Sequence, residues 1–335
     1  MSNQIKNILI SRTDAIGDVI LTLPLVGLLR RRYPNAKIHF FGRSYTQDII
    51  AACTNVDQFH DWSLIEKKSK VEITDYIKEL SLDMVIHVFP NKLIAQSCRS
   101  AKVPMRIGTR QRFYHLWTCT HRPKVSRKNS PLHEAQLNIQ LYTSVFPEHE
   151  IEFKELGELY GFKIDPFFPR ELNKSDKKSV IFHPGSRGSA RDWPVTSFVE
   201  LAKILPEADF DIFVTGTEKE SEAFRDQFLN LNKKNIFDLS GKLSLAELIG
   251  FIGQSTSLVA ASTGPLHIAS ACGIQAVGIY PPMRPAHPGR WAPIGKNVHI
   301  CVKNVPDCHS CKSKNSFCHC VNDILPSEVA EILQS

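Results

Sequence analysis

Short apolar segments alternate along the chain with longer segments whose apolar positions recur at helical spacing. In the first half, the apolar segments predict strands at residues 7–11, 37–41 and 83–89. Helical patterns follow these strands at residues 17–32, 45–52 and 91–101. Strands that alternate with helices are typical of βαβ units and a parallel sheet. The pattern therefore predicts an α/β fold.

The same order of strand, polar loop and helix begins again in the second half. Strands are predicted there at residues 179–183, 211–215, 235–239, 257–261 and 275–280. The first of them leads to a helix at 194–205, and a last helix is predicted at 327–333. Segment 166–178 is rich in charge and proline and is typical of a linker. We therefore expect Rossmann-like domains at 1–165 and 179–335, facing across a cleft, with ligands at the carboxyl ends of the strands.

Composition agrees with an ordinary globular protein. The chain has 335 residues, of which 42% are hydrophobic and 22% charged, enough for two domains with their own cores. The longest apolar run, at residues 19–29, contains Thr22 and Pro24 and is shorter than the ~20 residues of a membrane span. The first residues lack the features of a secretory signal. We therefore expect a cytoplasmic protein.

The net charge of +7 conceals a stronger local asymmetry. No acidic residue lies between Asp83 and Glu134, whereas this interval holds ten lysines and arginines, with Phe113, Tyr114 and Trp117 among them. One interpretation is a solvated basic face. The other is an anionic partner, such as nucleic acid, lipid head groups or a phosphorylated substrate. Because no recognised nucleic-acid motif is present, we expect no nucleic-acid partner.

The loop after the first strand contains the first candidate for chemistry. Gly17 permits a tight turn, and Asp18 falls at the start of the next helix. A carboxylate there can cap the helix and interact with its dipole. It can equally take a proton from an acceptor hydroxyl. Asp14, three residues before Gly17, competes for the same role.

The corresponding loop of the second half reads HPGSRGSARDWP. Its small residues offer backbone amides before a helix, a setting suited to phosphate, and Arg187 and Arg191 add cations. The loop matches neither a Walker loop nor a G-x-G-x-x-G fingerprint. A third segment, STGPLHIASACG, places Thr263 and Gly264 at another junction of strand and helix. His267 lies in the first turns of that helix, where a packed, structural histidine is the ordinary interpretation.

The last candidate is a cluster of cysteines near the end of the chain. Cys308 and Cys311 form a C-x-x-C pair, and Cys318 and Cys320 form a C-x-C pair. Four thiolates in a short segment can bind zinc tetrahedrally, although a second C-x-x-C is the usual spacing. A structural zinc, a redox-sensitive pair and four ordinary thiols all remain open.

Taken together, these motifs resemble the heptosyltransferases, the inverting enzymes of glycosyltransferase family 9 that add heptose to lipopolysaccharide core. The resemblance rests on the order and spacing, through nearly the whole chain, of the segments GDVILTLPLVGLLRRRYPNAKI, HPGSRGSARDWP, LSGKLSLAELIGFIGQS, STGPLHIASACGIQAVGIYPP and the cysteine-bearing tail. It implies a GT-B fold in which the N-terminal domain binds the acceptor and the C-terminal domain binds the nucleotide sugar.

The resemblance also implies roles for individual residues. Asp18 matches the catalytic base, which favours it over Asp14. Arg191 stands where the family carries a basic residue at the donor diphosphate, and Ser186 and Arg187 match the phosphate loop.

The remaining donor residues follow from the same resemblance. Thr263, Gly264 and His267 match the D-T-G-x-x-H motif at the diphosphate and sugar, but Ser262 replaces the aspartate of that motif and brings no charge. Glu220 matches, more loosely, an acid near the nucleotide ribose.

The reaction implied is a direct displacement on ADP-heptose that requires no metal. The basic interval, with Arg99, Arg106, Arg110 and Arg112 as candidate acceptor ligands, would hold an anionic core oligosaccharide close to the inner-membrane surface. Two alternatives remain: a GT-B transferase that uses another nucleotide sugar, and a non-catalytic binder of nucleotide sugar or anionic glycan.

Overall fold

A computed structural model of the protein describes residues 5–128, 130–164, 176–186, 188–283, 286–303 and 319–335. The chain divides into two compact units, Met1–Lys163 and Ile164–Ser335. Most of the segment predicted to be a linker, 166–178, lies outside the described residues. The boundary between the two units, after Lys163, falls two residues before residue 165, the predicted end of the first domain.

The N-terminal unit contains five strands and eight α-helices among its described residues. The strands are β1 (Asn7–Ser11), β2 (Lys37–Gly42), β3 (Gln58–Asp61), β4 (Met84–His87) and β5 (Met105–Gly108). The helices are α1 (Ile16–Ile20), α2 (Leu23–Arg32), α3 (Gln47–Ala51), α4 (Trp62–Ile65), α5 (Lys70–Glu79), α6 (Lys92–Ser100), α7 (His115–Thr118) and α8 (Glu134–Thr143). Short 3₁₀ turns occupy Ser44–Thr46, Pro147–His149 and Phe153–Leu159.

The five strands form one parallel sheet in the order β3-β2-β1-β4-β5. The central strand β1 is buried from Ile8 onward, as expected for a parallel strand covered on both faces. One of the core clusters beside the sheet contains Phe41 stacked on Trp62, with ring centroids 5.5 Å apart.

The C-terminal unit contains six strands and eight helices among its described residues. The strands are β6 (Lys178–His183), β7 (Phe210–Val214), β8 (Ile236–Asp238), β9 (Ser257–Ala261), β10 (Gln275–Tyr280) and β11 (Val298–Val302). The helices are α9 (Val195–Ile204), α10 (Glu218–Ser221), α11 (Arg225–Leu229), α12 (Leu245–Gln254), α13 (Gly264–Ala271), α14 (Pro288–Trp291), α15 (His319–Asn322) and α16 (Pro326–Gln334).

These six strands form a second parallel sheet in the order β11-β10-β9-β6-β7-β8. The final helix α16 packs against α9 of the same unit. The indole of Trp193, which is fully buried, donates a hydrogen bond to the carbonyl of Ile324 at 3.1 Å. The end of the chain is thereby anchored to the sheet that precedes it. Within the described residues, no helix is long and apolar enough to cross a membrane.

The structure adds strands that the hydrophobic pattern does not predict. Strands β3, β5 and β11 are all edge strands that mix polar with apolar residues and include partly exposed positions. A strand that is not buried on both faces lacks the continuous apolar run by which the buried strands are recognised. The predicted helix 17–32 is also two helices, because the chain turns at Leu21 and Thr22 before Pro24, which has no N–H to continue the first helix.

We expect Gly27→Ala to destabilise the N-terminal unit. A Cβ at Gly27, in the middle of α2, would overlap the backbone carbonyl of Leu159, which cannot move as an isolated side chain would. Overpacking of this kind costs about 1–3 kcal/mol, and thermal unfolding will show a lowered Tm. Gly295→Ala is the matched control, because its Cβ would meet its nearest neighbour, the Ser270 carbonyl oxygen, at 3.3 Å. Equal Tm changes in the two variants would contradict this packing argument.

Candidate functional site

The order of strands in the N-terminal sheet creates a crevice next to β1. The chain proceeds from β1 to β2 on one side and then returns to β4 on the other side. The loops that follow β1 and β4 therefore diverge, and ligands of open α/β sheets bind at such a switch point, outside the carboxyl ends of the strands. Asp14 and Asp18 both lie in the segment that follows β1.

The guanidinium of Arg12 occupies the centre of this segment. Its side chain is only 3% exposed, and it forms ion pairs with three carboxylates. Its Nε lies 2.7 Å from Oδ1 of Asp14, its Nη2 contacts Asp18, and its Nη1 lies 3.3 Å from Oε1 of Glu134. The two competing candidates for a catalytic base are therefore held by one and the same cation.

Residues of α8 and of the loop before it brace this cluster from behind. Glu134 is 1% exposed and is also bound by Nε of Arg127 at 2.7 Å. Asn138 accepts a hydrogen bond from Arg127 at 2.7 Å and donates one to the carbonyl of Leu21 at 3.1 Å. The amide thus ties α8 to the turn between α1 and α2. Nothing in the sequence pattern singles out these residues for this role, except that Glu134 is the first acid after a long basic interval.

Burial raises the pKa values of both candidate bases. Burial raises the pKa of Asp18. The positive charge of Arg12 lowers this pKa, and the negative charge of Glu134 raises it further. For Asp14, burial raises the pKa to about 7, again against the opposing effect of Arg12. Three carboxyl groups share the two guanidiniums of Arg12 and Arg127, so a proton is readily kept by one of the acids near neutral pH. A carboxylate with a raised pKa is a better proton acceptor than an exposed one.

Two residues that follow β2 complete the surroundings of the acid pair. The hydroxyl of Tyr45 donates a hydrogen bond to the backbone carbonyl of Asp14 at 3.0 Å, and more than half of its side chain is exposed. Nε of Arg43 donates to the carbonyl of Thr13 at 3.2 Å. A cation and an aromatic hydroxyl therefore border the carboxylates.

The C-terminal sheet has its own switch point, between β6 and β9. From β6 the chain moves outward to β7 and β8, and then returns to β9 on the other side of β6. The loops after β6 and β9 are those that the sequence analysis assigned to the donor. In the first of them, Ser186 is 7% exposed, and its carbonyl accepts from the backbone N–H and the hydroxyl of Ser189. Gly188 has a left-handed φ of +76°, which a glycine adopts without strain.

Glu220 lies beside this loop, although it belongs to α10 after the neighbouring strand β7. Its Oε2 accepts from the backbone N–H of Thr217 at 2.9 Å in a capping box. A Cβ added to Gly185 would lie 2.6 Å from its Oε1, so a larger residue at this position would displace the carboxylate. Ser186 also hydrogen-bonds to the carboxylate of Asp192. The structure thus brings Ser186 and Glu220 together and adds Asp192 to them.

Two arginines were predicted in the loop after β6. Arg191 is half-buried and directly precedes Asp192 and the buried Trp193. Since the indole of Trp193 is anchored in the core, the backbone of Arg191 is attached to a fixed point. Arg187 lies outside the described residues.

The segment after β9 contains the remaining predicted donor residues. Thr263 is the N-cap of α13, and Gly264 is the first residue of that helix. Among the described residues, no hydrogen-bond partner reaches the buried Oγ1 of Thr263. His267 is 3% exposed in the first turns of the helix. Ser262 forms a side-chain hydrogen bond with the buried Tyr280 of the adjacent strand β10.

The four arginines predicted to bind the acceptor occupy different environments. Arg99 is at the C-terminal end of α6, and the topology places this end at the opposite edge of the sheet from Asp18. Arg106 donates from its guanidinium to the backbone carbonyls of Val103 and Thr118. These two arginines are therefore poorly placed for an acceptor. Arg110 and Arg112 follow the carboxyl end of β5 and are exposed.

The cysteine cluster is described only in part. Cys308, Cys311 and Cys318 lie outside the described residues, and Cys320 is buried in α15. In the part of the chain that is described, no group of three or more His, Cys, Asp or Glu residues is arranged to hold a metal ion. The zinc prediction for the tail is therefore not tested by the structure.

The model of glycosyltransferase family 9 (heptosyltransferase) matches residues 74–321, about three quarters of the chain. The chain belongs to this family. It is therefore a glycosyltransferase, and the predicted enzyme class is confirmed.

Curated relatives of this glycosyltransferase agree with that assignment. A putative glycosyltransferase of Haemophilus influenzae is 26% identical over 88% of this chain and 89% of its own length. The lipooligosaccharide heptosyltransferase 2 of the same organism is 23% identical over 84% of this chain and 85% of its own length.

Solved structures confirm the predicted fold. The ADP-heptose LPS heptosyltransferase II of Escherichia coli superposes with a TM-score of 0.79 at 18% identity, covering 98% of each chain. The two Rossmann-like units of this glycosyltransferase are thus those of the GT-B fold.

We expect Arg12→Met to be strongly destabilising, by about 3–5 kcal/mol, because it leaves three buried carboxyls without their shared cation. Folded carboxyls with raised pKa values bind more protons than the unfolded chain, so their contribution to stability is lost as the pH rises. The stability lost in Arg12→Met should therefore be larger at about pH 8 than at about pH 5, as measured by urea unfolding. Lys78→Met is the control, since Lys78 pairs with Asp75 at an exposed site and such pairs contribute little. A deficit that is independent of pH would exclude this electrostatic origin.

Proposed function

We propose that this glycosyltransferase transfers heptose from ADP-heptose to a hydroxyl of lipopolysaccharide core, with inversion at the anomeric carbon. The donor and acceptor are those that the name of its structural relative in E. coli specifies. The observation that carries the proposal is the carboxylate of Asp18, held by Arg12 at the switch point of the N-terminal sheet, with a pKa that burial and the nearby charge of Glu134 raise.

In the proposed mechanism, Asp18 removes the proton of the acceptor hydroxyl. The oxygen attacks the anomeric carbon from the face opposite the diphosphate, and the bond from that carbon to the diphosphate breaks. Because Arg12 is shared with Asp14 and Glu134, it orients the carboxylate of Asp18 without neutralising it fully. Positioned general bases contribute about 10²–10⁴ in rate.

The departing diphosphate is stabilised by residues of the C-terminal unit. Arg191 and Arg187 supply positive charge, and Ser186 offers a polar group in the loop after β6. Thr263 begins α13, whose first backbone amides and dipole favour an anion. With cations and helix dipoles in these positions, the proposed reaction requires no metal. Gly264 and the buried His267 follow Thr263 in α13 and are assigned to the same donor site, and Glu220 is assigned to the nucleotide ribose.

The acceptor is assigned to the basic surface of the N-terminal unit. Arg110 and Arg112 lie at the same edge of the sheet as Asp18, because both segments follow carboxyl ends of parallel strands. Their charge suits the phosphates and carboxylates of a core oligosaccharide. An acceptor attached to lipid would bring the protein to the inner face of the inner membrane.

Ser262 is the residue that keeps a second donor open. It stands at the aspartate of the family motif, and its hydroxyl is engaged with Tyr280. A neutral hydroxyl accepts fewer and weaker hydrogen bonds from sugar hydroxyls than a carboxylate does. A GT-B transferase for another nucleotide sugar is therefore the alternative function.

The decisive experiment is a thermal-shift screen against ADP-heptose and other ADP-, GDP-, UDP- and CMP-sugars, followed by transfer assays with the sugar that binds. We expect selective stabilisation by ADP-heptose, because a ligand that binds only the folded state raises the Tm. If a different nucleotide sugar stabilises the protein selectively, that sugar would be assigned as the donor in place of ADP-heptose. Stabilisation by none of them would favour a non-catalytic binder of anionic glycans.

Asp18→Asn should abolish most of the turnover while donor binding is retained, since the amide cannot accept the proton. We expect kcat to fall by about 10²–10⁴. Asp14→Asn shares the same cation and is the matched control, for which we expect a smaller effect. The measurement is steady-state transfer together with the Tm shift produced by the donor. If the larger loss occurs in Asp14→Asn, the role of base passes to Asp14.

Arg191→Ala should lower kcat by about 10²–10³, the typical effect of removing one preorganised electrostatic contact to a transition state. Arg191→Lys should retain part of the rate, since it keeps the charge but not the bidentate geometry. Arg31→Ala removes an exposed arginine from the end of α2 and should leave kcat unchanged. Transfer rates near wild type in Arg191→Ala would exclude this assignment.

The tail cysteines remain candidate ligands of a structural zinc. Thiolate sets of this size also suit iron, so elemental analysis of the purified protein should measure both metals. This possible metal has no role in the proposed displacement.

A further inference from the structure

The segment around α7 presents its apolar side chains to solvent. Phe113, Leu116 and Trp117 are 76%, 46% and 42% exposed. Their spacing of i, i+3 and i+4 places them on one side of a helical turn. The rings of Phe113 and Trp117 meet edge to face, with centroids 4.8 Å apart. We call these three residues the apolar triplet.

The opposite side of the same turn is buried and polar. His115, Thr118 and Cys119 repeat the i, i+3, i+4 spacing, and all are buried. Nδ1 of His115 is hydrogen-bonded to the carbonyl of Thr109 at 2.8 Å, and the hydroxyl of Thr118 donates to the carbonyl of Tyr114 at 2.8 Å. The outward position of the apolar triplet is therefore fixed by internal contacts. It is the reverse of the arrangement on an ordinary surface helix.

Cationic residues flank the apolar triplet along the chain. Arg110, Arg112 and Lys124 are exposed, and within the described residues none of their side chains has an ion pair or hydrogen bond. The whole interval from residue 84 to residue 133 has no acidic residue. The interval therefore contributes only positive charge to this surface, and the side chains of Arg110, Arg112 and Lys124 are available to an external anion.

A groove lies next to Leu116. It has a volume of about 750 Å³ and is lined by residues that include Arg110, Leu116, His121 and Arg122. A groove with two arginines at an apolar edge suits a phosphate group that is attached to an acyl chain. The groove therefore offers cationic side chains beside an apolar one, a combination compatible with a lipid headgroup.

We propose that the apolar triplet, Arg110, Arg112, Lys124 and this groove form a docking surface for an anionic phospholipid bilayer. Phe113, Leu116 and Trp117 enter the interface between headgroups and acyl chains, where aromatic side chains are favoured. The arginines and Lys124 bind headgroup phosphates. A peptide partner would need a complementary acidic and apolar face, whereas a bilayer supplies both components over any area.

The inference deepens the proposed function, since it rests on an acceptor that is embedded in a membrane. It names the surface that would hold the enzyme at such a membrane. Binding to vesicles can be measured without donor or acceptor. Its failure would therefore leave the transferase activity untouched, and a failed donor screen would leave the vesicle result untouched.

The test is co-sedimentation of the full chain with vesicles of phosphatidylglycerol and phosphatidylcholine, compared with vesicles of phosphatidylcholine alone. We expect binding to the anionic vesicles that weakens with added salt. The double variant Phe113→Ser/Trp117→Ser should lose affinity by at least about tenfold, since each ring would no longer be buried. Leu64→Ser/Val71→Ser is the matched control, because Leu64 and Val71 are exposed apolar residues of the same unit; it should bind as wild type does.

Two further measurements separate membrane insertion from other causes. Of the four tryptophans, Trp62 and Trp193 are fully buried, and the partly exposed Trp291 belongs to α14 of the C-terminal unit. A blue shift of tryptophan emission on vesicle binding should therefore disappear in Trp117→Phe and persist in Trp291→Phe. Arg110→Gln and Arg112→Gln should each weaken binding by about fivefold. The proposal is overturned if wild-type protein does not bind anionic vesicles, or if it binds phosphatidylcholine alone equally well. Equal binding by wild type and the Phe113→Ser/Trp117→Ser variant would also overturn it.

Discussion

One buried guanidinium, at the carboxyl end of the central strand of the N-terminal sheet, binds three carboxyl groups drawn from two separate parts of the chain. A buried charge is costly unless it is paired, so Arg12 requires its carboxylate partners, and Asp14, Asp18 and Glu134 would repel one another without it. The loop after β1, the first turn of α1 and the start of α8 are therefore held in one arrangement. The raised pKa values of both aspartates follow from this burial, so structure and reactivity have the same source.

In the C-terminal unit, the loop after β6 is positioned by close packing around its backbone more than by ion pairs. At Gly185 the absence of a side chain lets the carboxylate of Glu220 reach the loop that follows β6. The indole of Trp193 fixes the end of that loop to the core. The loop that we propose to bind the diphosphate is thus approached by a carboxylate at a glycine on one side and fixed by a buried aromatic ring on the other.

In the segment around α7, two sets of residues share the same helical spacing but differ in burial, in the opposite sense to an ordinary surface helix. The polar His115 and Thr118 are buried with their hydrogen bonds formed inside the unit, whereas Phe113 and Trp117 are left in solvent. An exposed apolar cluster costs free energy in water, and clusters of this kind mark surfaces that are covered when the protein works. The arginines of the same segment favour an anionic partner for this surface.

The sequence by itself determined the α/β class, the repeated strand-loop-helix order and the buried strands, since a strand covered on both faces must be continuously apolar. It also predicted that the residues of chemical interest lie in the loops after β1, β6 and β9, which include Asp14, Asp18, Ser186 and Thr263, because short polar loops between apolar strands and helices are where ligands bind in such sheets. Edge strands such as β5 escaped prediction, as partial exposure removes the apolar signal. Only the tertiary structure decided that Arg12 joins Glu134 to Asp18, because a contact across more than a hundred residues depends on how the sheet orders its strands and has no local pattern.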